Sequence, residues 1–82
     1  MKYYNIPITI KMTVRLHKDR NEAEIKANDV CGLVQEIGKS RYTASVIRDG
    51  KIFRLGEFDI FRNAVKKTMK EIAEIQINDL KI

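Results

Sequence analysis

Apolar and polar residues alternate without a break along the start of the chain. Tyr4, Ile6, Ile8, Ile10, Met12, Val14 and Leu16 take one side, and Asn5, Pro7, Thr9, Lys11, Thr13, Arg15 and His17 the other. Period two is the mark of a strand with one buried face. Here it lasts far longer than the five or six residues or so of an ordinary strand. Pro7 has no amide hydrogen, so that half of the run is an edge or a bend. Lys18-Asp19-Arg20-Asn21 is a polar turn, and Ala23, Ile25 and Ala27 alternate again beyond it, predicting a hairpin. A third strand is expected over roughly residues 31–37, with Gly38-Lys39-Ser40 as the loop that follows. That loop leaves its own register, and the facing of Val34 and Gln35, open.

Asp49-Gly50 separates two more alternating runs. Asp-Gly favours a two-residue hairpin loop, because both turn positions need positive φ. Such a loop predicts Val46 opposite Phe53 and Ala44 opposite Leu55 on one face with Tyr42. On the other face Ile47 meets Ile52 and Ser45 meets Arg54, since opposed residues share a face. Asp59 then reads as a helix N-cap whose carboxylate accepts from first-turn amides. After it Phe61, Ala64, Val65, Thr68, Ile72 and Ile75 recur at helical spacing, with Asn63, Lys66, Lys67, Lys70 and Glu74 opposite them. One stripe is buried and the lysine face is solvated, and Ala64 permits close approach to the sheet. The predicted fold is α+β: an antiparallel sheet of about five strands, namely a three-stranded core sheet plus an N-terminal hairpin, with one C-terminal helix on one face.

Gly32, Leu33, Tyr42, Ala44, Leu55, Gly56, Phe58, Asp59 and Ala64 form an ordered set across about half of the chain. The set resembles the DNA-binding domain of plant ethylene-response factors, with relatives in phage integrase arm-binding domains and some homing endonucleases. Those domains share a glycine-valine start, a Trp/Tyr-x-Ala strand, a hairpin, Leu-Gly-x-Phe-Asp, and a helix with an alanine six residues after the phenylalanine. Most matched positions are glycines, alanines and aromatics that serve packing, so the resemblance speaks to fold before function. It spans residues 32–74; the N-terminal third has no counterpart in it.

In that family the outer face of the sheet lies in the major groove and reads it with arginines and a tryptophan. The resemblance therefore implies Arg54 as a base-reading or phosphate-binding residue, with Ser45 and Thr43 beside it. Arg41, Arg48, Lys51 and Lys39 are the further nucleic-acid candidates, as basic residues around the same hairpins. The chain departs from the pattern at Ile47 and Ile52, where basic groups are usual, at Glu57, which repels phosphate, and in having no tryptophan.

The 82 residues make one domain, divided into an N-terminal hairpin extension over 1–30 and the sheet-plus-helix unit over 31–77. Net charge is +5 and the pI about 9.5, within the loose range of nucleic-acid binders, though sixteen basic residues are offset by eleven acidic ones. The lone Cys31 forms no intramolecular disulfide, suits a reducing cytoplasm, and reads as a small core residue. His17 lacks the neighbours of a metal site. With one His, one Cys and no Gly-rich phosphate loop, the chemistry of an enzyme is not expected, nor are a cofactor or small-molecule substrate. No apolar run is long enough to argue for a membrane.

Five strands about 4.8 Å apart make a sheet close to 20 Å wide, whereas a helix covers a strip of about 10 Å. The excess apolar face of residues 4–16 must be hidden by curling, by residues 75–82, or by a second chain. Curling plus a homodimer is the favoured solution, because long edge strands invite pairing. Two functions fit the sequence: a small DNA-binding regulator or accessory factor using the sheet face opposite the helix, or a phage-type inhibitor or adaptor. The second would dock a protein through the apolar pair Ile47 and Ile52 or through the long first strand.

Overall fold

The computed structural model describes residues 11–17, 19 and 21–78. Five strands, β1 (Thr13–His17), β2 (Glu22–Ala27), β3 (Val30–Gly38), β4 (Arg41–Arg48) and β5 (Lys51–Phe58), pair antiparallel in sequence order, and the helix α1 (Phe61–Asn78) packs on one face. This is the α+β class that the alternation predicts. Residues 4–10 of the expected long first strand lie outside the described residues.

Tight turns set the registers. Asp49 and Gly50 both have positive φ, 52° and 74°, as a two-residue hairpin loop requires. Asn28 (φ 53°) and Ser40 (φ 56°) occupy the turns before β3 and β4. Ala27 pairs with Val30, and Ala23 with Val34, so Val34 faces the helix and Gln35 the other side. Between Glu36 and Gly38 the pairing with β4 slips by one residue, leaving Ile37 as a bulge.

The β4–β5 register is the predicted one for Val46–Phe53, Ile47–Ile52 and Ser45–Arg54. It departs one step later. Ala44 pairs with Gly56 rather than Leu55, and Leu55 is the extra residue of a β-bulge. Gly56, at φ 127°, supplies the backbone conformation that side-chain-bearing residues avoid. The bulge leaves Leu55 on the helix side, where alternation from Phe53 already puts it, packed against both ends of the core. It also restores the phase so that Phe58 meets Tyr42 on that side.

The core lies between α1 and the strands β2 to β4. Ile25, Ala27, Val30, Val46 and Ile72 fill one end, and Ala23, Val34, Ala44 and Ala64 the other, closed by Tyr42, Phe58 and Phe61. The Tyr42 and Phe61 rings meet tilted with centroids 5.6 Å apart, a favourable aromatic geometry. The helix sits close because the middle of β3 has no side chain: a Cβ at Gly32 would collide with the Thr68 methyl and lie 2.9 Å from Ile72 Cδ1. Thr68 is fully buried, and its hydroxyl donates to the Ala64 carbonyl at 2.8 Å. At the far end Gln76 donates to the Ala27 carbonyl (3.2 Å) and accepts from the Asn28 amide (2.9 Å), tying the helix to the β2–β3 turn.

Two local expectations are corrected. The carbonyl of Ile60 accepts from the Asn63 and Ala64 amides (3.1 and 3.2 Å), so Ile60 occupies the capping position. Asp59 lies one residue too early for its carboxylate to serve. Cys31 is not a core residue: it pairs with Lys26 and Ile47 on the face away from the helix and is half-buried there. The width argument holds in kind. The helix touches β2 to β5 but not β1, and Val14 and Leu16, on the helix side of β1, are 39% and 61% exposed.

The Gly32 contact makes a stability prediction. Gly32→Ala overpacks the helix seat and should cost about 1–3 kcal/mol. Thr68→Ser, which removes the colliding methyl but keeps the hydroxyl, should return part of that loss in the double variant. A urea-denaturation double-mutant cycle reads this coupling; strictly additive losses would mean the helix shifts freely over β3. Leu55→Ala and Phe58→Ala should each cost nearer about 2 than 5 kcal/mol, because both side chains are only half-buried.

Candidate partner-binding face

The face opposite the helix is built by alternation. On β3 it carries Leu33 and Gln35, on β4 Thr43, Ser45 and Ile47, and on β5 Ile52 and Arg54. Ile37, the bulge residue of β3, continues the outward series of Leu33 and Gln35, and the bulge at Leu55 brings Glu57 to the same side as Arg54, opposite Thr43. An unbroken strand would have pointed Glu57 at the helix, since residues three apart face opposite ways. Together these nine residues line an open concavity of about 440 Å³.

The sequence-predicted residues divide accordingly. Arg54, Ser45, Thr43, Ile47 and Ile52 converge on the concavity. Arg41 stands at its end, 3.3 Å from Glu57, and the two form an exposed ion pair. Lys39 sits in the β3–β4 turn beside it. Arg48 and Lys51 do not join them. They pair across the opposite end of the hairpin, in phase with the helix side, and Arg48 borders a groove there with Phe53, Leu55, Glu71 and Ile75. The Arg48 guanidinium lies 3.9 Å from Asp29 and 4.0 Å from Asp49.

Charge on the outer face is nearly balanced. Arg15 stands directly across from Glu24, and these two line a shallow dip with Thr13 and Lys26. Arg41 is held by Glu57. Arg54 makes no ion pair among the described residues, so a single uncompensated cation stands amid Leu33, Ile37, Ile47 and Ile52. The other basic cluster is on the helix. Lys67 is bonded to Glu71 at 2.9 Å, and that hydrogen bond, with the Glu71 charge, raises its pKa above the ordinary lysine value. Arg62, Lys66 and Lys70 are exposed to solvent.

Sequence reasoning missed Leu33, Gln35 and Ile37 because their facing depends on the β3–β4 loop, whose register the residues alone do not fix. It missed the exposure of Phe53 for a different reason: β5 is an edge strand, and the helix is too narrow to roof it. No group of three His, Cys, Asp or Glu among the described residues could hold a metal, and no described helix is long and apolar enough to cross a membrane.

The Arg41–Glu57 pair is more than half exposed on both sides, and exposed pairs contribute about 0–1 kcal/mol. Glu57→Gln and Arg41→Ala should therefore leave the urea midpoint nearly unchanged. A large loss in either would mean that the pair fixes the bulge.

No family model, no curated protein and no solved structure matches this chain; the chemistry of the face rests on its own geometry and charge.

Proposed function

We propose that this chain is a non-catalytic binding module that engages a protein partner through the outer face of β3, β4 and β5. The observation that carries the reading is the make-up of the concavity: four aliphatic side chains surround one uncompensated arginine. Protein interfaces favour an apolar centre with few charges, among which arginine is enriched. A duplex-reading face needs the opposite, several phosphate-neutralising cations on one surface. Here Arg41 is tied to Glu57, and Arg48 and Lys51 belong to the other side.

Binding of duplex DNA, as the family resemblance implies, is the second reading. The convergence of Arg54, Ser45 and Thr43 on one concavity favours it, since such a group suits a base edge flanked by phosphates. Lys39 and Arg41 at the rim would add sequence-independent contacts.

Anisotropy titrations of the whole chain against labelled duplex and single-stranded DNA separate the two. The protein reading expects affinity weaker than about 10⁻⁴ M at physiological salt, below ordinary non-specific binding. Tighter binding that falls steeply with salt, with a slope about 0.9 shallower in Arg54→Ala, would establish the DNA reading instead. In parallel, a photo-crosslinking residue in place of Ser45 should trap a partner from cells of the source organism. That partner should be lost in Ile47→Lys/Ile52→Lys and kept in Lys66→Ala/Lys70→Ala.

A further inference from the structure

The edge of β5 presents more than a surface. Arg48 and Lys51 flank a two-residue loop, so they form the hydrogen-bonded closing pair, and bonded pairs then alternate along the hairpin. Phe53 accordingly bonds inward to Val46, while the amides and carbonyls of Ile52 and Arg54 point outward from the last strand of the sheet. Both sides of this edge carry exposed apolar surface: Ile52 is 67% and Phe53 52% exposed, on opposite faces. Each lies beside a depression. Ile52 and Arg54 border the outer concavity, and Phe53 borders the groove of about 320 Å³ under the helix.

We propose that the β5 edge over residues 51–54 accepts an acidic, extended segment of a protein partner as an added strand. The proposal rests on the protein-binding reading above and names the partner's chemistry. Main-chain bonds to Ile52 and Arg54 hold the segment, and alternate side chains fall to either face, which is the general logic of strand addition. The residue across from Arg54 is Asp or Glu, meeting the cation that this chain leaves uncompensated. The residue across from Ile52 is aliphatic. The one between them turns to the helix side beside Phe53 and is apolar. The Leu55 bulge ends the pairing surface on one side and the Asp49-Gly50 turn on the other, so the recognised stretch is short.

Charge also argues against a second copy of this chain as the occupant. Paired antiparallel, two β5 edges would place both Arg54 side chains on one face of a short seam, and residues 51–54 contain no acid to meet them. The described part of β1, the other edge, carries Arg15 and His17 and no acid, so it offers no complement either.

A phage-displayed library of random eight-residue peptides, selected on the intact chain, tests this. Enriched peptides should carry Asp or Glu between β-branched or aromatic residues. Synthetic copies should protect the Ile52 and Arg54 amides from hydrogen exchange. Arg54→Glu should invert the selected charge to Lys or Arg. Ile52→Pro removes an outward amide that the sheet does not use, a substitution edge strands tolerate. It should weaken the peptides by about tenfold more than Ile52→Ala does. If Ile52→Pro fails to fold, peptides N-methylated at alternate positions carry the same test: one set loses binding and the other keeps it.

Peptides that bind while perturbing Leu33 and Ile37 and leave the Ile52 and Arg54 amides unprotected would overturn strand addition and leave face docking intact. Binding at the edge with no acidic preference, or unaltered by Arg54→Glu, overturns the charge assignment and with it the proposal. A free chain that sediments as a dimer and becomes a monomer in Ile52→Pro would make a second copy the occupant. Failure of any peptide to bind, together with loss of the crosslinked partner's dependence on Ile47 and Ile52, removes both readings.

Discussion

A helix about 10 Å across roofs a sheet of five strands spaced about 4.8 Å apart, and most of the structure answers to that mismatch. Over the middle the helix comes close, because the sheet and helix there carry Gly32, Ala23, Ala44 and Ala64, with Thr68 fitting against the bare glycine. Close approach concentrates burial on three strands. It leaves the outer two with less cover, so Leu16 on β1 and Phe53 on β5 stay largely exposed although they share the face of Ile25 and Val46. Bulky aliphatics in place of the alanines would lift the helix and loosen the centre without sealing the edges. The open edges therefore follow from how the core is packed.

The bulge at Leu55 and Gly56 serves that packing and sets the outer face as well. On the helix side it leaves Leu55 unpaired with β4, and Leu55 packs against both ends of the core. Outside, it brings Glu57 into phase with Arg54, and Glu57 then holds Arg41 at the rim. One extra residue thus adds the acid that pairs with Arg41 at the rim, and leaves Arg54 as the cation among the aliphatic side chains of the concavity. Loss of the bulge would change the core and the charge of the face together. A binding face that depends on a core device is preorganised, since its side chains are held on strands rather than on a mobile loop.

Much of this was legible in the residues. Alternation predicted the strands from residue 13 onward, Asp49-Gly50 fixed the pairing of Val46, Ile47 and Ser45, and helical spacing identified Ala64, Thr68 and Ile72 as the buried stripe. What alternation could not reveal was where it breaks. A bulge costs one residue of phase, and the sequence around Leu55-Gly56 reads equally well with the pairing carried straight through. The same holds at Ile37. The break at Leu55-Gly56 put Glu57 on the outer face and left Leu55 with no partner on β4, and so altered the apparent charge of the site more than its shape. Arg48 and Lys51 were legible as basic and as paired across the turn, and it is their phase with Val46 that removes them from the outer face. Cys31 failed for a simpler reason: a small residue near a strand start reads as core on either side of a sheet whose two faces are both partly apolar.

An exposed edge strand is a hazard as well as an opportunity, because its free amides and carbonyls will pair with any extended chain. The composition of β5 narrows that risk. Lys51 and Arg54 put cations along the stretch that can pair, while the bulge interrupts the regular edge beyond it. Charge of one sign on an edge discourages copies of the same chain, whose edges carry the same sign, and favours segments of the other sign. Specificity then arises from what is repelled as much as from what is held. Exposed aliphatic and aromatic side chains on either side of such an edge would be a liability on an uncharged strand. Beside a cation that selects its partner, they can contribute contact area without promoting self-association.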